Sequence, residues 1–209
     1  KELPDSLKSA IENTKITSSS GVVIAKTKTP IFQLFKQGLK LQKNAKKERK
    51  EVKRIFPSSP ITGFIDFQVI GSEGTVDIKD FRKSISPDEN KIMERPYAIN
   101  FNTTNEEENE KVKNLDSLLC LISEMKRINF PSNKLRYIYD LKRNSNLEDF
   151  KKKVNLINLL SKMNDDHIKF IVNDLKLDYE NPDTFDSNFN NIFDILEIYD
   201  FIEEKEEKT

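Results

Sequence analysis

Apolar residues between Thr29 and Phe56 recur at helical spacing and then give way to cations, and the rest of the chain is organised around that change. Ile31, Phe32, Leu34, Phe35, Leu39 and Leu41 are enough for one buried face in the first half. Pro30 already has the φ of a first helical turn, and the Thr29 oxygen can accept an orphan amide proton, so the helix is predicted to start near residue 30. Beyond Leu41 the large apolar positions stop until Val52. Lys43, Lys46, Lys47, Lys50, Lys53 and Arg54 then step by three or four onto one broad face, opposed by Glu48 and Glu51 alone. Val52, Ile55 and Phe56 return the helix to a core ahead of Pro57. Gly38 interrupts the pattern at about 1 kcal/mol relative to alanine, which leaves two shorter elements, or a strand near Gly38 to Lys43, as alternatives.

Strand patterns flank this helix. Val22 to Ala25 is short and β-branched. Ile61 to Ile70 alternates, with Ile65, Phe67 and Val69 on one face, and Gly71-Ser72-Glu73-Gly74 follows as a turn. Val76 and Ile78 continue the alternation, so residues 61–81 are predicted to form a β-hairpin. Tyr97 to Phe101 is a third strand, and Asp5 can cap a short helix over residues 6–14.

Beyond residue 105 the period becomes helical throughout. Glu106, Glu107 and Glu108 suit the first turn of a helix, and Val112, Leu115, Leu118, Leu119, Ile122, Met125 and Ile128 form a stripe, with Cys120 as a small core residue. Pro131-Ser132 opens another helix through Leu135, Ile138 and Tyr139. Asn146 can cap a third that turns Phe150, Val154, Ile157 and Leu160 inward and Lys151, Lys152 and Lys153 outward. Asp165 starts a fourth, and Phe185, Phe189, Ile192, Phe193 and Leu196 describe the last. The expected fold is α+β and mostly α. Residues 1–104 make a mixed portion with the basic helix and the hairpin, and residues 105–209 a helical portion with an acidic tail.

Charge sharpens that division. Residues 1–60 carry 14 Lys and Arg against 5 Asp and Glu, and the remainder 21 against 30, although the chain as a whole is neutral. Such asymmetry points to an interaction surface or to halves that attract each other. No apolar run reaches membrane-spanning length, so no transmembrane segment is expected. Cys120 is the one cysteine and can form no internal disulfide, so an intracellular setting, cytoplasmic or nuclear, is expected.

The chemistry-bearing motifs are sparse. The chain has no Gly-rich phosphate loop, no Gly-x-Ser-x-Gly elbow, no Cys-x-x-Cys and no His-Glu-x-x-His, so no catalytic residue and no cofactor is assigned and an enzyme is disfavoured. His167, the single histidine, has no second histidine or thiol beside it in sequence and is read as structural. Gly74 to Phe81 resembles the second half of an EF-hand calcium loop. The first half would place Val69 and Gly71 at the leading ligand positions, where neither offers a side-chain oxygen, so no metal is expected. The function expected on these grounds is a non-enzymatic protein–protein interaction module, scaffold or regulatory, with Phe185, Phe189 and Phe193 as partner contacts. The alternative is an anion-binding module that meets nucleic acid or acidic membrane lipid through Lys43, Lys46, Lys47, Lys50, Lys53 and Arg54. Partner identity and oligomeric state stay open.

Overall fold

The computed structural model describes residues 17–59, 62–70, 77–85, 92–143, 148–178, 181, 184 and 188–203. The fold is α+β and mostly helical, and the chain divides into two compact units. One contains residues 1–73 and 96–116, the other residues 74–95 and 117–209, so the units interleave in sequence where a single boundary near residue 105 was expected.

In the first unit, strand β1 (Ser19–Ala25) leads through helix α1 (Ile31–Ile55) to strand β2 (Gly63–Ile70). β1 and β2 pair in parallel, from Ser19 opposite Phe64 to Ala25 opposite Ile70. A parallel pair requires a crossover of this length, and the helix is that crossover. Strand β3 (Tyr97–Ile99) pairs antiparallel on the other side of β2, so among the described residues β2 is central and β1 lies at an edge. The expected hairpin over residues 61–81 does not form. β2 takes partners from distant parts of the chain, residues 71–76 lie outside the described residues, and Ile78–Ile85 is helix α2. Ile78 and Ile85 are buried there and Phe81 is half-buried, a 3.6-residue period rather than a period of two. The helix expected over residues 6–14 also falls outside the described residues.

Alternate residues of β2 face α1. Phe64 joins Ala45, Ala98, Phe101 and Val112 in a buried cluster, against which Val52 and Phe56 pack. Asp66, fully buried, accepts a 2.8 Å hydrogen bond from Asn44 Nδ2. On the opposite face Phe67 stacks on Tyr97, with ring centroids 6.2 Å apart. A short helix α3 (Glu106–Lys111) follows, its amides at Glu107 and Glu108 capped by the Asn105 side chain.

The second unit holds α2 and helices α4 (Leu115–Arg127, from Ser117 on), α5 (Ser132–Arg143), α6 (Asp149–Leu160), α7 (Asp165–Lys169) and α8 (Ile192–Ile198). A π-helical turn, Phe170–Asp174, extends α7. Leu118, Ile122, Met125, Leu135, Ile138, Ile171 and Ile192 fill its core. Arg95 is buried in an ionic cluster there: its Nε lies 2.7 Å from Asp194 Oδ1 and its Nη2 2.5 Å from Glu197 Oε2. Asp194 Oδ2 also accepts the backbone amides of Glu94 and Arg95. This cluster ties the segment before β3 to α8.

Three sequence expectations change in this unit. Phe150, Val154 and Ile157 of α6 are exposed; Leu160 is buried as expected, and Leu156, Leu159 and Lys152 are buried with it. Cys120 is exposed rather than in the core. The last helix is shorter than the stripe from Phe185 suggested: Phe189 has a φ of 55°, which a right-handed helix does not admit, and α8 begins at Ile192.

Candidate interaction site along the first helix

The packing of α1 on β1 is set by two glycines. A Cβ on Gly21 would lie 2.2 Å from the Gly38 carbonyl oxygen and 2.5 Å from the Gln42 nitrogen, so strand and helix backbones touch here with no side chain between them. Gly38, which seemed to interrupt the helix, is the point where it meets the sheet. This contact, with Gln37, Leu41 and Ala45 buried, fixes which side of α1 faces inward.

The rotation has a consequence for the apolar first half. Ile31 is 84% exposed, Phe32 74%, Phe35 65% and Leu39 41%, where the sequence pattern predicted a buried face. Apolar residues occupy a broad arc of this half of the helix, from Leu41 round to Phe32, and the sheet covers one side of that arc. Between the exposed side and β1 runs an open cleft of about 410 Å³, lined by Ser20, Gly21 and Val23 of the strand and Leu34, Phe35, Gly38, Leu39 and Gln42 of the helix. Asn44, bonded to β2, lies on the opposite side of α1 from Phe35 and Leu39, so the cleft opens along the edge of β1 that faces away from β2.

The cationic second half continues the same surface. At 100° per residue, Ile31, Phe35, Leu39, Gln42, Lys46 and Arg49 follow one stripe, apolar first and basic last. Lys43, Lys46, Lys47 and Lys50 are exposed. Lys53 and Arg54 are also exposed but have local duties. Lys53 Nζ donates to the Pro57 and Ser59 carbonyls beyond the helix end, and Arg54 forks onto Glu51 at 3.1 and 2.5 Å. The Arg54 hydrogen bond holds the Glu51 carboxyl below its ordinary range. Glu48 is pushed the other way, chiefly by burial, with Glu51 and Asp66 nearby adding to the effect and Lys47 opposing it.

Of the aromatic residues expected to meet a partner, Phe193 is half-buried within its own unit, its ring centroid 6.2 Å from that of Phe81 and 5.6 Å from that of Tyr139, with the Arg95 guanidinium 5.5 Å away. Phe189 is half-buried, and Phe185 lies outside the described residues. His167 is buried, with Nε2 2.9 Å from the Ile128 carbonyl oxygen and its ring edge-on to Phe130. A carbonyl can only accept, so Nε2 carries the proton and the ring closes the C-terminal end of α4. Of the EF-hand-like stretch, Gly74 to Val76 lies outside the described residues and Ile78 onward is α2. Among the described residues no group of three His, Cys, Asp or Glu could hold a metal ion. No described helix is long and apolar enough to cross a membrane.

Phe32, Phe35 and Leu39 were therefore misplaced in the core by sequence reasoning. The available signal was their number: Ile31, Phe32, Leu34, Phe35, Leu39 and Leu41 cover more of a helix circumference than one sheet can bury. The chain matches no protein-family model and no curated protein sequence.

Proposed function

We propose that the chain is a non-enzymatic protein–protein interaction module, and that its first unit receives a partner protein in the cleft between β1 and α1. The observation that carries this is the exposed series Phe32, Phe35 and Leu39 beside a formed cleft. Contiguous apolar surface of this kind, rimmed by polar and charged residues, is characteristic of partner sites. An intracellular setting suits the exposed thiol of Cys120, which stays reduced there. The test is a display screen of protein fragments from the source genome against the wild-type chain and a Phe35→Glu/Leu39→Glu variant. Fragments held by the wild type and lost by the variant support the proposal, and a set of fragments indifferent to the variant overturns it.

A second reading rests on the exposure of Lys43, Lys46, Lys47 and Lys50 along a 25-residue helix. It makes this face an anion-binding surface for nucleic acid or acidic lipid. Its signature is binding to short nucleic acids or anionic vesicles that weakens with salt and with Lys47→Glu/Lys50→Glu. Binding unchanged by that reversal removes it.

A further inference from the structure

β1 is an edge strand among the described residues, and seven residues, Ser19 to Ala25, contain no charge and no proline. Edge strands are ordinarily protected by such residues, since their outer amides and carbonyls can pair with another chain. The cleft runs along this outer edge, with the apolar part of the α1 stripe as its wall. Phe35 to Lys46 spans eleven residues of helix, about 17 Å at 1.5 Å per residue, which about five residues of extended chain match. Gly21 lies against Gly38 and Gln42, so the Ser19 end of β1 is next to the basic part of the stripe and the Ala25 end next to the apolar part.

Resting on the docking reading above, we infer that the partner contributes an extended segment that adds to the sheet as a fourth strand beside β1. Its apolar side chain sits against Phe35 and Leu39, and an acidic side chain four positions away, on the same face of the added strand, meets Lys46 and Arg49. Main-chain hydrogen bonds along β1 supply affinity, and the apolar-to-basic order of the stripe sets the register and the polarity of the segment.

The experiment uses fragments from the screen that bind the wild type and not Phe35→Glu/Leu39→Glu. Each is synthesised with its natural backbone and with alternate amides N-methylated, then titrated at low and high salt against the full wild-type chain and Lys46→Glu/Arg49→Glu. Alternate N-methylation is expected to weaken binding by about 10-fold or more, because it removes successive strand hydrogen bonds. The charge reversal is expected to weaken it by about 5-fold at low salt, and by less at high salt. Cleft-dependent fragments that are helical, that tolerate N-methylation, or that lack the acidic position overturn strand addition and leave the docking reading standing. A screen that yields no cleft-dependent fragment overturns both.

Discussion

Replacing Gly21 by alanine puts a methyl carbon 2.2 Å from the Gly38 carbonyl oxygen, 2.5 Å from the Gln42 nitrogen and 2.9 Å from Leu41 Cβ. The two closest are backbone atoms and cannot rotate away, so helix and strand must separate by about 1 Å to restore ordinary contact distances. A gap of that size forfeits roughly a quarter to a half of each dispersion contact along the seam. Leu41 and Ala45, both fully buried, lie on it. Overpacking costs of about 1–3 kcal/mol are usual, and the immobile backbone places this site at the upper end, near 3 kcal/mol. Alanine at Gly38 meets nothing closer than Val23 Cγ2 at 3.8 Å and gains helix propensity, so it should stabilise by about 0.5–1 kcal/mol. Two facing glycines should thus respond with opposite signs. Calorimetric unfolding checks this: at about 2–4 °C per kcal/mol for a chain of this size, Gly21→Ala should lower the transition of the unit that contains it by roughly 6–12 °C. Gly21→Ala at or above the wild-type transition would refute the backbone contact.

Two further predictions concern stability. Arg95→Ala removes the buried cation that balances the carboxylates of Asp194 and Glu197 and should cost about 3–5 kcal/mol in urea unfolding, with Arg95→Lys failing to rescue because an ammonium cannot span both partners. Burial raises the Glu48 carboxyl above its ordinary range, so the stability it contributes is fully present below the ordinary carboxylate pKa and is lost as pH rises through the raised value. Glu48→Gln should therefore match the wild type in acid and be the more stable protein at neutral pH; a difference independent of pH would contradict the assigned cause.

Much of the architecture was legible. Proline on either side marked α1, and the observed bounds Ile31–Ile55 fall between Pro30 and Pro57. The start differs in chemistry: Pro30 itself occupies the cap position with no side-chain hydrogen bond, and the Thr29 amide bonds to the Lys26 carbonyl. All three strands of the sheet were visible from alternation or β-branching. Their pairing was not, because a parallel pair joined through a long helix leaves no local mark, whereas the sequence Gly71-Ser72-Glu73-Gly74 after β2 reads like the turn of a hairpin. Residues 75–81 were ambiguous for a different reason. Val76 and Ile78 fit a period of two, and only the spacing of Ile78, Phe81 and Ile85 reveals the helix.

The candidate site was half legible. Its cations were placed on one exposed helix face by spacing alone, as the structure has them. Its apolar part was assigned to the core, because periodicity says that a helix has an apolar side without saying which side a sheet will cover. Gly21 and Gly38 make that choice through a contact between residues 17 apart in sequence. In α6 the same limit applies: apolar residues lie on two stripes, and Leu156, Leu159 and Leu160 take the core with the stem of Lys152, leaving Phe150 at 74% exposure.

The affinity of a selected fragment for the wild-type chain and for Phe35→Glu/Leu39→Glu tests the docking role most directly. At 65% and 41% exposure these two positions can be changed with little effect on folding, so the variant should unfold within about 0.5 kcal/mol of the wild type. Two apolar anchors lost at the centre of an interface should weaken binding by roughly 30-fold or more. Equal affinity of the two proteins would contradict the proposal, because the fragment would then be held elsewhere on the molecule.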